Sequence, residues 1–379
     1  MANIERKLAS VQRIAEIRPI PEADRICAYR VNGWWVVDSV GEYEVGDLVI
    51  YAEPDSFIPH ELAPFLSNGK EPREYNGVKG ERLKTVKPRG QLSQGLLLPI
   101  SLKLNRDFSC FVTVDLPAVP IPIAYVWEMA FDRVIQVGDD VTEILGIQKW
   151  EAPVPACLAG TVKGNFPSWI PKTDQPRGQG IVDEIFEEHK GESYEVTLKL
   201  DGSSCTIYIK DGDIGVCSRN LDLKETEGNS FWKAARDQGI IDAMLAYNGK
   251  TGHSIALQSE TLGEGIQGNQ EGIKGQRLFL FDIFDINNQT YMKPGARMNL
   301  LDKYLVPLGA DLTHAPVLHP AMCVTERFAN LDELLAYADG PSMNPNVKRE
   351  GLVFKSNDSK FSFKVISNEW LLSKGKKGG

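Results

Sequence analysis

The chain has little of what marks a metalloprotein, a secreted protein or a membrane protein. Its six cysteines (Cys27, Cys110, Cys157, Cys205, Cys217, Cys323) form no C-x-x-C pair. That argues against a zinc site and predicts a reducing, cytoplasmic setting. Its five histidines are isolated. No run reaches the roughly 18 apolar residues of a membrane helix, and the segment Met1–Lys7 has no signal-peptide core. There is no Walker A sequence, internal repeat or low-complexity tract. Acidic residues are missing from one place in particular. Between Arg82 and Arg106 stand six basic residues (Arg82, Lys84, Lys87, Arg89, Lys103, Arg106) and no acidic one, in a chain whose net charge is −9. The net charge counts mildly against a nucleic-acid partner. The local run is either a solvated face or a polyanion contact.

What is present suits two domains: 379 residues, 42% hydrophobic and 25% charged. The first 150 or so residues read as short strands at close spacing, with β-rich runs at Val31–Val37 and Asp47–Ala52. A turn at Gly41–Asp47 separates them, a small-barrel pattern. Residues 108–137 are apolar and proline-containing, an insert without an assigned place. The Pro-rich stretch from Pro153 to Pro176 reads as a linker. Beyond it helices are expected at Asp183–His189, Ser230–Tyr247, Asn299–Leu305 and Leu331–Ala338. Strands are expected at Ser254–Ser259, Leu278–Phe284, Gly351–Lys355 and Phe361–Ile366.

The most informative stretch is Lys199-Leu200-Asp201-Gly202-Ser203. In the segment before it, Tyr194, Val196, Leu198 and Leu200 alternate with Glu195, Thr197 and Lys199. The pattern predicts a half-buried strand with Lys199 at the end of its polar face. A lysine fixed there can serve as a nucleophile if its amine is deprotonated. By itself the stretch is also an ordinary strand-to-turn sequence.

Its weight comes from the residues downstream of it. Cys205–Ile209 and Ile214–Ser218 flank an Asp211-Gly212 turn, which would fold Arg219 back opposite Ser204. Glu260 closes an apolar strand and precedes Gly263, Gly265 and Gly268. No helix or βαβ unit surrounds these glycines, so they are not a dinucleotide fingerprint. Phe279, Phe281 and Ile283 are expected on one strand face. Glu350–Lys355 and Lys360–Asn368 form a hairpin that brings the acid near Lys364. Carboxylates at Asp201, Glu260 and Glu350 would repel a triphosphate unless a divalent cation lay between them, which implies magnesium or manganese with a nucleotide. Such cations would also lower the Lys199 pKa.

In this order the elements resemble the covalent nucleotidyltransferases, the ATP-dependent ligases and capping enzymes. Lys199–Ser203 matches motif I, Ser218-Arg219-Asn220 motif Ia, and Gln258-Ser259-Glu260 motif III. Phe279–Asp282 matches motif IIIa, Glu350–Lys355 motif IV and Ser362-Phe363-Lys364 motif V. Arg82–Leu96, Pro171–Arg177 and Phe363–Asn368 narrow the resemblance to a nick-sealing RNA ligase family with an N-terminal OB-like domain. The resemblance implies an α+β chain: an OB-like β-barrel domain over 1–155, then a nucleotidyltransferase domain of antiparallel sheets with flanking helices over 156–379. It implies ATP and Mg2+ or Mn2+, a monomer with no membrane partner, and a nicked duplex RNA or RNA/DNA hybrid as substrate.

The resemblance also implies residue roles. Lys199 is the nucleophile, Asp201, Glu260 and Glu350 the acidic metal shell, and Lys364 the α-phosphate contact. Arg177, Leu198, Gly202, Arg219 and Phe281 bind the nucleotide, with Phe281 stacked on adenine. Lys84, Lys87 and Arg89 contact the polynucleotide. Ser362 departs from the K-x-K of motif V, and Lys360, expected on the same strand face, is the candidate replacement. The alternatives are a DNA ligase or capping-type enzyme, or a non-catalytic nucleic-acid-binding protein on a ligase fold.

Overall fold

The computed structural model describes residues 7–104, 110–113, 136–150 and 160–375. Arg106, most of the apolar insert, Lys376 and Lys377 lie outside the described residues; the start of the insert pairs Ser101–Leu104 with Cys110–Thr113. The described chain divides into two compact units, one of residues 7–150 with 179–182, the other of 160–178 and 183–375.

The first unit is built on a five-stranded antiparallel sheet. Its spatial order is Trp34–Ser39, Ala23–Val31, Ala9–Ile20, Leu48–Ala52, Leu96–Pro99. The long strand Ala9–Ile20 pairs with different neighbours along its length, and register shifts at Ile14/Glu16 and Pro19/Ile20 bend it. The sheet therefore curls around a core of Ile14, Tyr29, Trp34, Val36, Val49 and Leu97, the expected small barrel. The Val31–Val37 run is two strands rather than one. Asn32, at φ +50°, and Gly33 make the tight turn that joins them.

The second unit holds two sheets. In the larger, Ser203–Lys210 lies between Asp213–Cys217 and Ile255–Gly263, and Gln276–Asp285 follows. The Asp211-Gly212 turn forms as expected, with both residues at positive φ. Helices cover one face of this sheet, where Ile207, Val216, Leu257 and Leu280 pack against Ile241, Met244 and Leu305. The smaller sheet runs Val317–Cys323, Ser193–Lys199, Gly351–Ser356, Ser362–Ile366.

Two expectations change here. The helix over Ser230–Tyr247 is two helices, Ser230–Asp237 and Ile240–Thr251, broken at Gly239. Gly239 has φ +65°, and a Cβ there would lie 2.5 Å from the Gly309 carbonyl oxygen. The break shifts the helical phase, so Leu245 faces solvent while Ile240 and Met244 are buried. The Pro-rich stretch is not all linker either. Val162–Asn165 pairs with Leu221–Leu223, and the Pro171 carbonyl accepts hydrogen bonds from Gln258 and Tyr291.

Candidate active site

Lys199 ends the strand Ser193–Lys199. Alternation predicted one wet face for this strand, yet Glu195 and Thr197 are each only 3% exposed. The strand is central in its sheet, and Glu195 is paired with a buried arginine. The register sets Lys199 opposite Gly351, so Glu350 stands beside it and its Oε2 lies 2.6 Å from the Lys199 Nζ. Gly351 lets its strand pack closely against Ser362–Ile366 on the other side, because a Cβ there would meet the Val365 carbonyl oxygen at 2.2 Å. The Lys199 side chain keeps 27% exposure and Glu350 13%, so the pair is reachable from solvent.

Beyond Lys199 the chain crosses into the larger sheet through Leu200-Asp201-Gly202. The Gly202 N–H donates to Glu260 Oε1 at 3.0 Å, and Ser204 pairs with Glu260 across the ladder. A Cβ on Gly202 would fall 2.3 Å from the Thr261 carbonyl oxygen. The Glu260 strand runs on to Gly263 instead of ending at the acid. Asp201 is half-buried beside this turn. It borders, with Glu350, a narrow cleft lined also by Leu262, Glu271, Lys348 and Trp370.

Burial and the surrounding carboxylates act on Lys199 in opposite directions. Burial pulls the Lys199 pKa down, but Glu350, Glu260 and Asp201 outweigh it, and the amine sits above its ordinary value. In the protein's own field Lys199 is an ammonium; the lowering expected from cations is not supplied by the chain. Burial pushes Glu260 up to about 7, with Glu350 and Asp201 adding to the rise while Lys199 and the Gly202 N–H oppose it. Among the described residues no three Asp, Glu, His or Cys side chains converge closely enough to hold a metal unaided. The hard oxygen donors around Lys199 nevertheless suit Mg2+ or Mn2+, ions that take one or two carboxylates and complete their shell with water and phosphate.

Phe281 is half-buried at a β-bulge. Gln258 pairs with Asp282 and Ser259 with Leu280, which leaves Phe281 as the extra residue. The bulge inverts the alternation, so Ile283 joins Leu278 and Leu280 in the helix-covered core and does not share the face expected for all three. Lys355 steadies Phe281: its Nζ donates to the Phe281 carbonyl and lies 5.5 Å from the ring centroid. Leu198 is buried, and its N–H is taken by the Pro316 carbonyl.

Arg177 and Lys364, far apart in sequence, form a parallel bridge in which the Lys364 N–H donates to the Pro176 carbonyl at 2.9 Å. The Lys364 amine is engaged with Asp174 at 2.9 Å. Lys364 lies opposite Val353, two residues from the Gly351 end of its partner strand. Lys360 precedes the strand, which starts at Ser362, and is exposed; the shared strand face expected for it is absent. Arg219 is exposed just beyond the hairpin strand Asp213–Cys217.

Sequence reasoning missed a buried polar layer beneath these residues. The fully buried Arg297 pairs with Glu195, on the Lys199 strand, and reaches Asp282 at 3.6 Å. Its Nε donates to His314 Nε2 at 2.9 Å. Asp282 also accepts from Lys355 at 2.8 Å. Thus the strands carrying Lys199, Glu350 and Phe281 are tied together by charge. No local pattern flags Arg297, whose partners come from distant segments. Because Nε2 accepts, His314 is neutral and its Nδ1–H donates to the Ala315 carbonyl at 2.6 Å. Burial, helped by Arg297, pushes its pKa down to about 3. The unfolded chain therefore binds a proton that the folded chain refuses. Stability from this site is present above about pH 6.5 and is lost at up to about 1.4 kcal/mol per unit as pH falls towards 3. His314→Gln should flatten that acid limb in urea titrations run across this range; an unchanged limb would place the acid sensitivity elsewhere.

Two family profiles match the chain: RNA ligase over residues 192–366 and an OB-fold domain over residues 8–100. No curated protein matches. Among solved structures, a variant of a Naegleria gruberi RNA ligase without ligand is 45% identical, covering 97% of this chain and 99% of that one at a TM-score of 0.78. A Naegleria gruberi RNA ligase with pyrophosphate is 44% identical, covering 98% and 100% at 0.77. A variant with ATP and Mn is 44% identical, covering 97% and 99% at 0.77.

Proposed function

The chain belongs to the RNA ligase family, an ATP-dependent enzyme acting on nucleic acid, and from that premise we propose that it seals nicks through a lysyl-AMP intermediate at Lys199. The observation that carries this reading is the Lys199 amine, fixed at a strand end 2.6 Å from Glu350 and within the field of Glu260 and Asp201. The neutral amine attacks the α-phosphorus of ATP, the bond to pyrophosphate breaks, and the amine proton goes to solvent. An oxygen of a 5′-phosphate end then takes the AMP and Lys199 leaves as the amine. A 3′-OH attacks the activated phosphate, AMP departs, and a phosphodiester remains.

Asp201, Glu260 and Glu350 would hold Mg2+ or Mn2+, which supplies positive charge against phosphate oxygens. Lys364 and Arg177 would contact phosphate, with Lys364 first leaving Asp174. Arg219 would grip ribose or phosphate, and Phe281 would stack on adenine. The Leu198 side chain is buried, so any nucleotide contact there is through its backbone. The turn Asp201-Gly202 sets Lys199 against Glu260. Gly202→Ala should therefore cut self-adenylylation by about 100-fold, because roughly 1 Å of misplacement at a reacting group costs that much. Labelling at the parental rate would show that the turn tolerates a side chain.

Lys84, Lys87 and Arg89 are exposed on one loop and are proposed to contact the polynucleotide as it is sealed by a monomer. Neutralising all three should weaken nick sealing and flatten its salt dependence while sparing self-adenylylation; equal losses in both steps would contradict the assignment. The substrate reading is tested on nicked duplexes with ATP and Mn2+, with RNA or DNA at each side of the nick. Sealing that requires RNA at the 3′-OH side supports it. Equal sealing of an all-DNA nick favours a DNA ligase.

A further inference from the structure

The outward face of the first unit's sheet carries a feature that the adenylylation site does not use. The adjacent residues Trp34 and Trp35 point opposite ways: Trp34 is fully buried in the barrel core and Trp35 is half-buried on the outer face. The register lines up Glu16, Arg30 and Trp35 across three strands. The next outward row is Arg18, Ala28 and Val37. Ala28 is small, so the Arg18 side chain can pass over it, and its guanidinium carbon rests 4.4 Å from the Trp35 ring centroid. Arg30 approaches the same ring at 5.6 Å. Glu16 anchors both arginines, at 2.5 Å from Arg18 and 3.7 Å from Arg30. The Arg18 side chain is still 56% exposed, which leaves one face of its guanidinium plane open.

The basic loop adjoins this face. Ser93 Oγ accepts from the Val37 N–H, and the Gln94 N–H donates to the Trp35 carbonyl. Val86 and Ser93 exchange backbone hydrogen bonds across the loop that carries Lys87 and Arg89. The loop that carries Lys87 and Arg89 is thus hydrogen-bonded through Ser93 and Gln94 to the strand of Trp35, whose outward row also holds Arg30 and Glu16. A half-buried tryptophan capped by an exposed, flat arginine, with a basic loop hydrogen-bonded to its strand, suits what an RNA strand offers: a π-face for stacking and phosphates alongside.

We propose that the Arg18–Trp35 stack is a base-stacking platform for an RNA strand, continuous with the basic loop and separate from the adenylylation site. The platform rests on the ligase reading for its role, but its chemistry stands on these residues. The test measures binding of a fluorescent RNA strand by anisotropy at fixed salt, with self-adenylylation of the same full-length proteins as a control. Trp35→Ala and Arg18→Ala should weaken RNA binding by about 5- to 100-fold, the range of one lost base stack. Trp35→Phe should retain most affinity, and all three should label with AMP at the parental rate. Arg18 is exposed enough that its replacement should not unfold the barrel, which guards against misreading a collapsed Trp35→Ala protein. RNA affinity unchanged in both alanine variants overturns the platform. A parent that binds RNA through Trp35 yet never self-labels overturns the ligase reading and leaves the platform standing.

Discussion

Arg297→Met is expected to destabilise the catalytic unit by about 3–5 kcal/mol, the cost of leaving buried charge without its partner. Arg297 is fully buried and holds Glu195 and Asp282; methionine fills the space but strands the Glu195 carboxylate where water cannot reach it. A typical domain has only about 5–15 kcal/mol in hand, so the loss should appear as a large drop in the urea midpoint. Adding Glu195→Gln should recover part of it, because the orphaned charge is then gone. A midpoint unchanged by Arg297→Met would mean that the polar layer does not hold the strands of Lys199, Glu350 and Phe281 in register.

The second large effect concerns the proton on Lys199. Burial lowers its pKa, but the carboxylates around it outweigh burial and hold it above the ordinary lysine value, so at neutral pH the ammonium form prevails. With divalent cation kept scarce, self-adenylylation should rise about tenfold per pH unit across the neutral range, as the neutral fraction does. Saturating Mn2+ places positive charge against the same carboxylates and removes their hold on the ammonium. The profile should then move to lower pH, with a rate at pH 7.5 higher by about two to three orders of magnitude. A pH profile of the same shape and position at scarce and saturating Mn2+ would contradict this account of the site.

Much of this was legible in the chain because it depends on local order. The Asp211-Gly212 hairpin, the strand that presents Lys199 and the helix Leu331–Ala338 follow from turn chemistry and periodicity over a few residues. What escaped depends on tertiary partners. The bulge at Phe281 is an extra residue relative to Ile255–Gly263 and leaves no mark in its own strand. The break at Gly239 follows from a carbonyl seventy residues away, at Gly309. Glu195 looked like a solvent-facing acid because alternation cannot foresee a buried arginine on the other side. Lys199 stands at its strand end as alternation predicts, but its charge without metal depends on carboxylates brought near from separate segments, which no local pattern shows.

The central claim is that Lys199 carries AMP. The direct measurement is to incubate the protein with ATP labelled at the α-phosphate and Mn2+, digest it, and map the labelled peptide. The account predicts one acid-labile AMP on Lys199, discharged by added pyrophosphate and absent from Lys199→Ala. No covalent label in the parent, or equal label in Lys199→Ala, would contradict it.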